Sequence, residues 1–409
     1  MLSPSIALIL SIVAILVLIR LKVHPGFAIF IGSLTLSMLV LPVQTTPSLM
    51  FEALWAHQVP LGEQQTLKLL IVIASALTLS SLMEEKGLLA NLAVAMESIG
   101  SRLAIHVVPA IIGFVPMPGG ALVSATTMQG LARRLGLTPE QSTFINYWFR
   151  HLWEFTLPVY PSIIITSVLL GTSLFSVVKT LAPITALSIV CGAAISYWIL
   201  RKKTYKTKGG SPKKIAINFL KAAWPILLLV PTILSGLNPM IVFPVILVLL
   251  ALQQRVSWPE LWKALKYGLN LKILFLLYSV MLFKVIIERA DAAGALISDM
   301  QAIGLPPVLM LAVLPLLIGL ATGISMAFVG VALPLLLPYI ALDSGISSSA
   351  LLLAFTSGMM GILVSPLHLC LILSSEYFKA TLAKVYRYVL PPVLVIEATV
   401  ILVYLIAGS

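Results

Sequence analysis

The chain has 409 residues, of which 60% are hydrophobic and only 10% charged, and its mean hydropathy of +1.08 excludes an ordinary soluble domain. A formal charge of +12 would point to nucleic acid in a soluble protein. Here the Lys and Arg sit in loops between apolar runs, where anionic lipid on the cytoplasmic side explains them, so a bilayer and not a nucleic acid is the expected partner.

In chain order, apolar runs punctuated by charge, Pro and Gly predict spans at 4–20, 26–42 and 67–83, a broken pair across 103–134, a broken element across 141–171, and a span at 176–200. The run from Leu8 to Leu18 follows no basic region and precedes no small-residue cleavage site, so it reads as a retained span. The segment Arg201 to Lys214 then places seven basic residues in fourteen at the midpoint. Beyond it come spans at 216–235, 239–253 and 273–288, a broken pair across 305–340, a broken element across 346–378, and a span at 387–407. The order of elements repeats. The expected organisation is a first repeat over 1–200, a basic cytoplasmic linker over 201–214, and a second repeat over 215–409.

Proline and glycine carry the repeat in detail. Pro109 and Gly113 recur 206 positions later as Pro315 and Gly319, Gly100 recurs as Gly304 at 204, and Pro158 recurs as Pro366 at 208. Loop charge sets the relative orientation. Residues 43–66 hold no Lys or Arg, whereas the equivalent 254–272 hold Arg255, Lys263, Lys266 and Lys272. With the linker inside, equivalent loops fall on opposite faces, so the repeats are inverted and both termini are external. The predicted fold class is therefore an all-α membrane protein of two inverted-topology repeats. Each has three leading spans, a re-entrant hairpin, a broken helix and a closing span.

Paired breaks in apolar segments point to a transporter's binding site. A helix interrupted in hydrocarbon leaves backbone groups unpaired at several kcal/mol each unless protein, water or a ligand meets them. In the first half, Pro116-Met-Pro118-Gly119-Gly120 cannot continue a helix, and free N–H groups at the start of the returning arm suit an anion. The matching break in the second half is Thr322-Gly323-Ile-Ser325. The broken elements run through Pro158-Val-Tyr160-Pro161 and Ser365-Pro366-Leu-His368, where unwound carbonyls suit Na⁺ and half-helix N-termini suit a carboxylate. The expected solute-binding residues are Pro118, Gly119, Gly120, Ser124, Ser162, Thr322, Gly323, Ser325, Ser365 and His368. The expected ion-coupling residues are Thr126, Asn146, Glu154 and Thr356.

Arg150, His151 and Glu154 lie in one aromatic stretch, and the i,i+4 spacing of Arg150 and Glu154 allows a pair on a helix, functional or structural. His368 serves equally as a solute or proton contact and as a satisfied core histidine. Glu397, in the last span, has no identifiable partner. The two cysteines, Cys191 and Cys370, read as packing residues, and no metal-ligand spacing, Walker loop, HExxH motif or paired carboxylate is present. No enzyme, metal site or cofactor is expected, Na⁺ as a coupling ion apart.

Phe114-Val-Pro-Met-Pro-Gly-Gly-Ala-Leu-Val-Ser124, Tyr147-Trp-Phe-Arg-His151 and Gly358-Met-Met-Gly361-Ile-Leu-Val-Ser-Pro-Leu-His-Leu-Cys370 resemble the membrane family called domain-of-unknown-function family 401. More broadly, the layout resembles the ion transporter superfamily. That resemblance implies a homodimer with a scaffold domain and a mobile transport domain, working by elevator-type alternating access. Its better-known carriers take dicarboxylates, often with Na⁺, on Ser-Asn-Thr hairpin tips, and this chain has Pro-Gly-Gly and Thr-Gly-Ile-Ser instead. The expectation is a secondary transporter, coupled to Na⁺ or H⁺, for a small organic anion in the plasma or inner membrane of a prokaryote. A carrier or exporter of a neutral or zwitterionic solute such as an amino acid, and a passive channel, are the alternatives.

Overall fold

The computed structural model describes residues 2–55, 65–88, 100–117, 119–201 and 212–407. Pro118 and most of the basic linker lie outside the described residues. The first half contains α1 (Pro4–Arg20), α2 (Pro25–Val40), α3 (Thr46–Trp55), α4 (Gln65–Glu85), α5 (Ser101–Ile112), α6 (Gly120–Arg134), α7 (Pro139–Arg150), a 3₁₀ turn (Leu152–Phe155), α8 (Pro161–Leu169) and α9 (Leu174–Leu200). The second contains α10 (Pro212–Leu234), α11 (Pro239–Gln253), α12 (Trp258–Gly268), α13 (Leu271–Arg289), α14 (Ala292–Ala302), α15 (Pro307–Thr322), α16 (Ser325–Ile340), α17 (Ser348–Leu363), α18 (Leu369–Phe378) and α19 (Leu382–Ala407). A two-stranded ribbon, Ala341–Leu342 with Gly345–Ile346, joins α16 to α17.

Proline starts many of these helices because its missing N–H is an orphan at the first helical position in any case: Pro4, Pro25, Pro139, Pro161, Pro239 and Pro307 all sit there. Short side chains accept from the next orphan donors: Thr138 from Gln141 N, Ser173 from Ser176 N and Ser347 from Ala350 N. Among the described residues, five segments, Thr66–Glu85, Leu174–Leu200, Ala216–Leu234, Trp258–Arg289 and Leu382–Ala407, are long and apolar enough to cross a membrane. Their outer faces are apolar as well, with Val190, Trp198, Leu394 and Ile406 all exposed. An apolar surface this extensive suits lipid and not water. This is a multi-pass membrane protein.

The helices sort into two packing groups. In one, α1–α4 pack with α11–α14, chiefly through α2 on α13 and α4 on α12. In the other, α5–α9 pack with α15–α19, led by α15 on α17 and joined across the halves where α18 meets α6 and α7. Contacts of α1 with α15, α4 with α8 and α13 with α16 connect the groups.

Both expected helix breaks are present in each half. Gly119 (φ 79°) and Gly323 (φ 61°) take the left-handed conformation at the two hairpin turns, where a Cβ would be strained. Behind each turn another glycine permits backbone-to-backbone packing. A Cβ on Gly113 would run into the carbonyl of Arg150, and one on Gly319 into the carbonyl of Gly358. The regions read as loops at 43–66 and 254–272 hold short helices instead, α3 and α12. Trp258 and Trp262 of α12 stack with centroids 6.2 Å apart beside charged Lys263 and Lys266, a mixed polarity that hides a short helix from hydropathy.

Candidate functional site

Broken helices create orphan carbonyls, and the protein meets them with buried side chains. Tyr160 Oη donates to Gly113 O (2.5 Å), Trp153 Nε1 to Ala110 O (2.8 Å), Tyr147 Oη to Leu363 O (3.0 Å) and Ser365 Oγ to Leu320 O (2.6 Å). These bonds satisfy the C-terminal ends of the half-helices. They also explain the aromatic density of the segment 146–160: its rings supply the donors that the breaks require.

Every residue of α7 from Ser142 to Arg150 is buried, so its polar groups must find partners in protein. They find them on α18, in a ladder across the two halves. Asn146 Nδ2 donates to Ser374 Oγ (2.9 Å) and to Ala121 O (3.0 Å), while Ser124 Oγ donates to Asn146 Oδ1 (2.6 Å). One turn on, Arg150 Nη1 reaches Cys370 Sγ (3.3 Å) and Nη2 donates to Met117 O (3.2 Å). At the end of the ladder His151 Nε2 lies 3.0 Å from His368 Nε2, and His368 Nδ1 lies 2.7 Å from Gly323 O. The first hairpin turn, both broken elements and the second hairpin turn are thereby joined by one set of side chains.

Arg150 is the unusual member. It is 2% exposed and its Nε has no partner. Among the described residues it forms no ion pair, since the nearby carboxylate of Glu154 instead lies 3.6 Å from His151 Nε2. The i,i+4 pairing of Arg150 with Glu154 is therefore corrected. The helix ends at Arg150 and continues as a 3₁₀ turn, so the α-helical spacing that would align the two is lost. The guanidinium lies against Gly120, where a Cβ would meet Nη2 at 2.5 Å and Cζ at 3.1 Å. A buried cation thus sits beside the first residue of α6, at the positive end of that helix dipole.

The other expected site residues divide. Gly120, Ser124, Asn146, Gly323, Ser365 and His368 belong to the connected set, whereas Gly119 forms the turn beside it and has open space where a Cβ would stand. Thr322 spans the second break, its Oγ1 3.5 Å from both Gly319 O and Ile324 N, and Ser325 opens α16 beside it. Ser162 and Thr356 are buried, with hydroxyls that lack partners among the described residues. Thr126 is exposed and returns its hydroxyl to Val123 O of its own helix at 2.8 Å, which sets it apart from the ladder. Pro118 lies outside the described residues. Glu397 has a partner that the sequence did not reveal, Ser357 Oγ at 2.6 Å. The sequence reading also missed Cys370. Its signal was the Ser365-Pro366-Leu-His368-Leu-Cys370 spacing at a helix start, which sets His368 and Cys370 close to one another. A cavity of about 590 Å³ opens elsewhere, against Lys68, Ile164, Thr172 and Asn238, and includes none of the expected site residues.

Residues 2–407 match the family described as Protein of unknown function (DUF401). The chain belongs to that family. No curated protein matches it. Among solved structures, this DUF401 chain is similar to the Alcanivorax borkumensis YdaH transporter, whose crystal structure is described as revealing an unusual topology. The TM-score is 0.65 at 14% identity, over 95% of this chain and 99% of that one. The likeness is one of fold.

Proposed function

We propose that this protein is a secondary transporter that moves a small organic anion, a carboxylate, across the membrane by cation-coupled, elevator-type alternating access. One observation carries the anion reading: Arg150 is buried and, among the described residues, forms no ion pair and has no partner at Nε, and it faces the positive end of α6. Removing the partner of a buried charge costs about 3–5 kcal/mol, so a cation held this way calls for a counter-charge. Two positive elements converging at a hairpin turn supply what a carboxylate needs. The fold shared with the YdaH transporter and the pair of breaks support carriage over enzymatic chemistry.

In this reading the halves are inverted copies. The group α5–α9 with α15–α19 is the mobile transport domain, the other group is the scaffold, and the scaffold pairs two chains into a homodimer. The coupling ion is proposed as Na⁺, because the partnerless hydroxyls of Ser162 and Thr356 and the unwound carbonyls are oxygen donors of the kind it takes. The test is uptake of labelled mono- and dicarboxylates into proteoliposomes under an inward Na⁺ gradient. Concentrative uptake competed by carboxylates and dependent on Arg150 supports the proposal. Competition by amino acids but not by carboxylates overturns the anion assignment, and uptake driven equally by a proton gradient without Na⁺ overturns the Na⁺ assignment.

A further inference from the structure

The two histidines at the end of the ladder raise a separate question. His151 Nδ1 lies 2.5 Å from Tyr147 O, and His368 Nδ1 lies 2.7 Å from Gly323 O. A carbonyl only accepts, so both Nδ1 atoms carry the ring hydrogen, and each neutral ring presents its Nε2 lone pair. Those two Nε2 atoms are 3.0 Å apart. Two lone pairs directed at one another repel unless a positive centre joins them. Cys370 Sγ and the two nitrogens all lie within 4.8 Å of one another. Glu154 Oε1 lies 3.6 Å from His151 Nε2, outside that three-residue cluster, and turns in to supply the fourth donor when an ion binds.

We propose that His151, His368, Cys370 and Glu154 form a tetrahedral site for a Zn²⁺-class divalent ion, which ties the first broken helix to the second. Two nitrogens, one sulfur and one oxygen are the donor set of such borderline-soft tetrahedral ions. Both rings are already fixed in metal-ready orientation by hydrogen bonds to backbone carbonyls, the usual outer support of a ligating histidine. With bonds of about 2.0–2.1 Å to nitrogen and about 2.3 Å to sulfur, tetrahedral geometry sets the two nitrogens about 3.4 Å apart, so the rings separate slightly while the sulfur and the carboxylate close in. On binding, the Cys370 thiol releases its proton to water and the sulfur lone pair forms the bond to the ion. One thiolate and one carboxylate then neutralise the two positive charges of the ion, so it enters hydrocarbon without net charge and Arg150 keeps its own charge for the transported anion. A proton shared by the rings would occupy the two nitrogens and leave the sulfur and the carboxylate unused. The inference does not depend on which solute is carried, and it is tested by binding alone.

Purified full-length protein, stripped with chelator and titrated with Co²⁺, is expected to take up one ion per chain. It should show the visible d–d bands of tetrahedral cobalt and a near-ultraviolet thiolate-to-cobalt charge-transfer band. The Cys191→Ser variant should keep that band. Cys370→Ser should lose it, and His368→Gln should bind Co²⁺ at least about 100-fold more weakly, since even an outer-shell partner is worth 10–100-fold. X-ray absorption at the zinc edge of the Zn²⁺-loaded wild-type protein needs no variant and should find one sulfur neighbour at about 2.3 Å. No binding, a charge-transfer band that survives Cys370→Ser, or a zinc shell of nitrogen and oxygen alone overturns the proposal.

Discussion

The two hairpins share a backbone plan and carry opposite chemistry. In the first, Gly113 packs on the carbonyl of Arg150; in the second, Gly319 packs on the carbonyl of Gly358, 208 positions after Arg150. A Cβ on Gly120 would meet the Arg150 guanidinium, whereas one on Gly358 would meet the ring of Phe328. Phe328 stands 204 positions after Ser124. It packs edge-on to Phe355 with centroids 5.9 Å apart, while Ser124 bonds to Asn146. Along the same offset of 208, Asn146, Arg150, His151 and Glu154 become Ala354, Gly358, Met359 and Ile362. On the half-helices after the breaks both copies stay polar: Ser162 and Thr166 answer to Cys370 and Ser374. The polar ladder therefore forms once, between α7 of the first half and α18 of the second. The scaffold for a site is present twice, and the chemistry occupies one of the two places.

The largest effect expected from breaking this asymmetry is at Arg150. Arg150→Met keeps bulk and removes the charge, and carboxylate uptake in proteoliposomes should fall at least about 100-fold, about 2.7 kcal/mol, within the range for truncating one partner of a buried charge pair. Arg150→Lys should rescue little, because an ammonium cannot reach both Met117 O and Cys370 Sγ as the planar fork does. The matched change in the other half, Gly358→Ala, should instead cost about 1–3 kcal/mol of stability through collision with Phe328, leaving uptake per folded molecule unchanged. Thermal unfolding and uptake measured on both variants separate these outcomes. Equal loss of uptake in the two would remove the contrast between the halves.

That contrast was only partly legible in the sequence. Prolines and glycines announce helix breaks because they act on the backbone alone. Thus the spans at 4–20 and 239–253 and both hairpins agree with the observed helices to within a few residues. The partners of α7 were not legible, because Arg150 meets Cys370 and Asn146 meets Ser374 across more than 200 positions, a separation that no local spacing rule reaches. Where a local rule was applied to the site, pairing Arg150 with Glu154, the switch from α-helix to 3₁₀ turn between them defeated it. Cys370 read as packing because isolated cysteines in apolar runs usually are.

Next in size are the paired glycines that should behave alike. Gly113→Ala and Gly319→Ala each drive a methyl into a facing carbonyl, and each should lower stability by about 1–3 kcal/mol or more, read as a fall in melting temperature in detergent. A large cost in one half only would show that the shared plan does not extend to the packing. Asn146→Ala follows. It strands Ser374 and leaves Ser124 only its longer bond to Ala121 O (3.2 Å) in a buried setting, with an expected cost of about 1–3 kcal/mol, whereas Ala354, its counterpart, has no such bonds to lose.

The smallest structural effect is expected at Ser162. Its hydroxyl is fully buried and lacks a partner, and the asymmetry supplies a reason. Its counterpart Cys370 receives Arg150, but the counterpart of Arg150 is Gly358, which has no side chain to offer. Replacing an unsatisfied buried hydroxyl removes no hydrogen bond, so Ser162→Ala should leave the stability in Na⁺-free buffer, read from thermal unfolding, within about 0.5 kcal/mol of wild type or slightly above it. If that oxygen is held back for Na⁺, the same variant should need a higher Na⁺ concentration for half-maximal uptake and should show a smaller stabilisation by Na⁺ than wild type. Unchanged Na⁺ dependence would mean that Ser162 is merely what the empty half of the ladder leaves behind.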